Sequence, residues 1–165
     1  AMIDLNLSKI NNSSPYHVGK VKDGVYVFKT DTGIIYSILF KPDMDIAGCP
    51  SYQFVIDRQS NNKVSHSKWV KDTIISIILG FFENNNDILL YICDTDDGRE
   101  ANRNRLFIKW FTEAADKSLF TIKLAHCKVE HITFYGAIVL MKTHHQYDKI
   151  LKEFEMMTEN LSAKP

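Results

Sequence analysis

An α+β fold built on a single mixed, mostly antiparallel sheet is predicted by three features of this 165-residue sequence. Short alternating apolar runs separated by turn residues fill the first third of the chain, the pattern of an antiparallel meander. Two longer segments, near 68–83 and 146–161, place apolar residues at helical spacing. Between them lies ILLYIC, Ile88 to Cys93, a continuous apolar run of the kind that forms a central strand buried on both faces.

Residues 1–20, with the polar stretch Asn11 to Pro15, read as a poorly structured lead-in, and Ala1 before Met2 as a tag remnant. Tyr26 and Phe28 in GVYVF open the first strand, TDTG at Thr30 to Gly33 turns it, and IIYSILF, Ile34 to Phe40, returns as its hairpin partner. Pro42, Gly48 and Pro50 keep the next segment irregular before SYQFVID, Ser51 to Asp57, supplies a third strand. Ser67 is placed to N-cap a helix from about Lys68 to Glu83. Val70, Ile74, Ile77, Ile78, Phe81 and Phe82 form its stripe, which Ile75 and Leu79 widen beyond one face. So wide a stripe predicts a helix pressed between two layers or covered by a partner chain, which would make a homodimer. A second helix is predicted from about Arg99 to Ala115. It leads to a hairpin, Leu119 to Val129 and His131 to Lys142, turning near Glu130. The chain closes with an amphipathic helix from roughly Gln146 to Leu161, striped by Tyr147, Ile150, Leu151, Phe154, Met157 and Leu161. The predicted order is βββ-α-β-α-ββ-α, with no internal repeat.

The length suits one domain spanning 1–165, and 45% hydrophobic residues are enough for a packed core. Lys and Arg balance Asp and Glu at 20 each, so no general electrostatic footprint for nucleic acid exists. The longest apolar segment, Thr73 to Phe82, is about half of a membrane span. Cys49, Cys93 and Cys127 are far apart without a CxxC pair, fitting neither a disulfide scaffold nor a zinc site; a reducing, cytoplasmic location is expected.

The chemistry concentrates at LLYICDTDDGREANRNRLFIKWF, Leu89 to Phe111, where three aspartates and three arginines meet at a strand-to-helix corner. On a helical wheel, Leu106, Phe107, Trp110, Phe111 and Ala114 cluster in one direction, with Arg103 within roughly 15° and Arg99 within about 50° of it. Arg105 and Lys109 fall on the solvent side. An inward arginine keeps its charge and needs an anionic partner. Asp96 or Asp97 can cap the helix while Asp94 clamps Arg103; alternatively, Arg99, Arg103 and helix N–H groups hold a small phosphate or carboxylate. The candidate cluster is therefore Asp94, Asp96, Asp97, Arg99 and Arg103. An EF-hand reading fails, because counting from Asp94 puts glycine fifth and Arg105 twelfth, so no metal is expected. His144 and His145 read as an exposed turn, Cys93 as an inert buried thiol, and Trp69 and Trp110 as core. No GxSxG, GxGxxG or GxxxxGK[ST] occurs.

The segments YVFKTDTGIIYSILF, the isoleucine-rich helix ending at Phe81 and Phe82, and the Leu89 to Phe111 motif resemble a family of small uncharacterised bacterial proteins, a domain of unknown function. The resemblance runs from about Tyr26 to Leu161 and implies no known substrate or catalytic residue. The element order is also similar to the later part of the GNAT acyltransferase fold. That likeness implies coenzyme A bound between the Asp57 to Ser67 loop and the Cys93 to Arg99 corner. The sequence departs from it in RQSNNKVSHS, a loop without glycine, and in Leu106-Phe107 where a Leu-Tyr pair is expected. The resulting expectation is a non-catalytic binding or regulatory domain, with a GNAT-like acyl-CoA-dependent enzyme, or a degenerate relative of one, as its alternative.

Overall fold

The computed structural model describes residues 3–59, 67–94, 108–129 and 132–163. In chain order these form α1 (Leu7–Ser13), β1 (Gly19–Lys22), β2 (Val25–Lys29), β3 (Ile35–Pro42), β4 (Ser51–Arg58), α2 (Lys68–Asn84), β5 (Ile88–Asp94), α3 (108–114), β6 (Phe120–Val129), β7 (Ile132–Met141) and α4 (Tyr147–Ala163). The strands make one seven-stranded mixed sheet in the order β1-β2-β3-β4-β5-β7-β6. From β2 onwards the elements follow the expected βββ-α-β-α-ββ-α sequence. Ahead of it, residues 1–20, expected as a poorly structured lead-in, carry α1 and the start of β1. The chain divides into two compact units, Ala1–Lys41 with Phe54–Asn86 and Pro42–Gln53 with Asp87–Pro165.

In the first unit, β2 and β3 pair antiparallel with Phe28 opposite Tyr36. Their inward side chains, Tyr26, Phe28, Tyr36, Ile38 and Phe40, are all buried. Gly24 turns β1 into β2 at φ 75°. A Cβ there would lie 2.8 Å from the Phe40 carbonyl oxygen, so only glycine fits. Backbone bonds from Asp43 N to Ser51 O and from Gln59 N to Ile35 O set β3 and β4 antiparallel. That register brings Phe40 opposite Phe54, whose rings lie 5.5 Å apart, and Tyr36 opposite Arg58. The hydroxyl of Ser67 accepts the Val70 N–H at 3.2 Å and caps α2 as predicted.

Part of the wide α2 stripe is covered within the chain: Ile75 is buried, whereas Leu79 stays 37% exposed. Phe81 stacks on Phe40 of β3 at 5.0 Å, while α1 lies against another side of the helix. There Ile10 approaches Gly80 so closely that a Cβ would sit 2.7 Å from its Cδ1 and Cγ1. Lys9 pairs with Glu83 at 2.8 Å along the same seam. Tyr26 explains why the segment before α1 is ordered: its buried hydroxyl accepts the Leu5 N–H at 3.0 Å and donates to the Ile3 carbonyl at 3.4 Å. Trp69, expected in the core, is instead 52% exposed, edge-on to Tyr16.

In the second unit, β5 pairs in parallel with the start of β4, Ser51 to Gln53 against Ile88 to Leu90, and antiparallel with β7. Ile88 to Tyr91 and Ala137 to Leu140 are buried on both faces, as continuous apolar runs require. Ile150 and Phe154 of α4 close a cluster with Ile46, Cys49, Ile88, Leu90, Ile138 and Leu140. In α3 the buried positions are Phe111 and, just beyond, Ala115, while Ala114 is exposed. The inward direction thus runs through Phe111 and Ala115, not through the wheel direction shared by Trp110 and Ala114. No helix among the described residues is long and apolar enough to cross a membrane.

Candidate functional site

Asp94 ends β5, its backbone paired with Phe134; its side chain lies outside the described residues, as do Asp96, Asp97, Arg99 and Arg103 altogether. Leu106-Phe107 and most of the Asp57 to Ser67 loop also fall outside them. Among the described residues, two other groups of polar side chains stand out.

The first is Arg58, the last residue of β4. Tyr52, Phe54, Ile56 and Arg58 share one face of the strand by its period of two. Tyr52 and Phe54 are fully buried there, so the alternation directs a guanidinium onto the apolar side of the sheet. Its Nε and Nη1 are buried and make no hydrogen bond among the described residues. The neighbouring Asp57 carboxylate does not satisfy them: it accepts the backbone N–H of Arg58 at 2.8 Å. The side chain as a whole stays partly exposed, so it can be approached from solvent. A row of aromatic rings leads away from the same spot. Tyr36 stands opposite Arg58 in the register and stacks on Phe28 at 5.0 Å, and Phe28 stacks on Tyr16 at 6.0 Å. Buried guanidinium nitrogens without acceptors are costly, and a carboxylate or phosphate is the partner whose geometry suits them.

The second group lies in the other unit, around Asp87, His144, Tyr52 and Cys49. Asp87, just ahead of β5, is half-buried, and burial raises its carboxyl above the ordinary aspartate value while His144 opposes the rise. His144 sits in the turn between β7 and α4. It is only 5% exposed, which corrects the expected exposed turn; His145 beside it is exposed. The two imidazoles stack at 4.7 Å. His144 Nδ1 accepts the Gln146 N–H at 3.0 Å, so a neutral ring carries its proton on Nε2. Burial lowers the His144 pKa, His145 lowers it further, and Asp87 acts the other way. Burial pushes the Cys49 thiol up, reinforced by Asp45, Asp87 and Glu153, leaving a protonated sulfur unsuited to nucleophilic attack. Burial also raises the Tyr52 hydroxyl, with Asp87 adding to it. Glu153 accepts the Ala47 N–H at a tight turn where Ala47 and Gly48 both have positive φ, 51° and 74°. The described residues contain no group of three or more His, Cys, Asp or Glu placed to hold a metal.

Arg58 was legible in the sequence as the fourth member of the 52, 54, 56, 58 alternation. Asp87 and His144 gave no such signal, because their burial depends on strands and a helix distant in sequence.

Residues 66–156, more than half of the chain, match the model of a family of unknown function, DUF6169. Among curated proteins and solved structures there is no match. The matched region contains α2, β5, β7, Asp87 and His144, and begins after Arg58. The chain belongs to this family of unknown function, DUF6169.

Proposed function

We propose that the protein is a non-catalytic binding domain for a small anion, with Arg58 as the residue that meets the ligand's phosphate or carboxylate. The observation that carries this reading is the pair of buried guanidinium nitrogens at the end of β4 that have no acceptor among the described residues. An anion there removes the desolvation penalty and forms charge-assisted hydrogen bonds. The corner of Asp94, Asp96, Asp97, Arg99 and Arg103 is a second place where an anion can be held, and the same experiment separates the two.

Thermal unfolding is followed with inorganic phosphate, citrate, a nucleoside triphosphate and coenzyme A, using the wild type, Arg58→Gln and Arg103→Ala. A ligand at a hundred times its Kd adds about 2.7 kcal/mol, a rise of several degrees. The expected result is a rise in the wild type and in Arg103→Ala that disappears in Arg58→Gln. A rise lost only in Arg103→Ala moves the site to the corner. No rise with any anion rejects the reading.

A second reading, an acyl-CoA-dependent enzyme or a degenerate relative of one, is favoured by the element order from β2 onwards, which is similar to that of the GNAT fold. It rests on architecture alone. In the same panel it requires coenzyme A to act where inorganic phosphate does not, and an inert coenzyme A at millimolar concentration sinks it.

A further inference from the structure

The turn into α4 is held by an imidazole. His144 Nδ1 accepts the Gln146 N–H at 3.0 Å, and the His144 carbonyl accepts the Tyr147 N–H at 3.1 Å. The first bond of the helix follows, from Ile150 N to Gln146 O at 2.9 Å. One residue thus satisfies two backbone donors at a helix start, where N–H groups lack intrahelical acceptors. We propose that His144 is an acid-sensitive latch for α4: a neutral imidazole fastens the helix start, and protonation at Nδ1 releases it.

Three consequences of protonation act in the same direction. The lone pair that receives the Gln146 N–H is occupied by the new proton, so acceptor faces donor without a bond. A positive charge appears at the positive end of the helix dipole. It is also almost wholly buried and stacked on a second imidazole, His145. The charged groups acting on the ring are His145 in the same turn and Asp87 just ahead of β5. Asp87 favours the imidazolium, but burial and His145 outweigh it and leave the His144 pKa lowered.

The sign follows from linkage. The folded pKa is depressed, so the stabilisation is complete above the ordinary histidine value of about 6.5 and is lost as pH falls from there through the folded value. Over that interval, opening of the helix start gains up to about tenfold per pH unit. Release of α4 uncovers the side of the sheet now closed by Ile150 and Phe154, an apolar cluster containing Ile46, Ile88, Ile138 and Leu140. The latch is independent of the Arg58 reading.

The test is hydrogen exchange of the Tyr147 to Ile150 amides in the full chain between pH 7.5 and 5.0, corrected for intrinsic exchange, in the wild type and His144→Asn. Asparagine accepts a backbone N–H two residues on and does not titrate. The expected result is an acceleration of at least about threefold in the wild type and a flat profile in the variant. Equal acceleration in both overturns the proposal. A second measurement stands even if the variant fails to fold, namely titration of the wild-type imidazole by nitrogen NMR. Bare Nδ1 at neutral pH and titration below 6.5 with a coupled shift of the Gln146 amide are expected; titration at or above 6.5 with that amide unmoved overturns it.

Discussion

At the scale of single residues, Arg58 and Asp87 are the side chains whose present surroundings cost stability. The Nε and Nη1 of Arg58, buried and without an acceptor among the described residues, oppose folding. Arg58→Leu, which continues the apolar face of β4, is therefore expected to raise the stability of the ligand-free protein by about 1 kcal/mol, measured by urea unfolding. A loss of stability would mean that the guanidinium is satisfied in solution. Asp87 has a raised folded pKa. Its contribution is full below the unfolded value of about 3.9 and is lost as pH rises through the folded value. Asp87→Asn removes that loss, so the melting temperature of the variant relative to wild type should climb as pH rises from 3.5 to 7. A difference independent of pH contradicts the burial of Asp87.

At the scale of elements, the contact of α1 with α2 turns on Gly80. Alanine normally stabilises a helix interior by about 1 kcal/mol relative to glycine, but here its Cβ meets Ile10 at 2.7 Å. Gly80→Ala is expected to destabilise by about 1–2 kcal/mol net of that propensity gain. In a double-mutant cycle with Ile10→Ala, the two changes together should cost less than the sum of the singles, because the clashing atoms are gone. Strict additivity would place α1 away from Gly80. The α2 stripe itself was legible in the sequence, down to its Ser67 cap. What covers it was not, because α1 is a short polar helix with a single fully buried side chain, Ile10. The same limit applied to α3, where the wheel grouped Trp110, Phe111 and Ala114 in one inward direction, while the structure buries Phe111 and Ala115 and exposes Ala114.

At the scale of the whole molecule, the core is divided between two compact units. In the second, Phe154 is the aromatic anchor of α4. Phe154→Ala should cost about 3–5 kcal/mol, read as a lower midpoint in chemical denaturation. A cost below about 1 kcal/mol would mean that α4 is not seated on the sheet.

The sequence by itself determined the strands from β2 onwards and their order along the chain, the helices α2 and α4 and the cap at Ser67. Each of these depends on local period, turn chemistry or a continuous apolar run. Only the tertiary structure decided that residues 3–20 fold, through the Tyr26 hydroxyl and the Ile10 side chain. It alone buried His144, exposed Trp69, and left Nε and Nη1 of Arg58, on the side that the strand alternation predicts, without a hydrogen bond among the described residues. Burial and hydrogen-bond satisfaction are sums over neighbours from distant parts of the chain, and no local spacing encodes them.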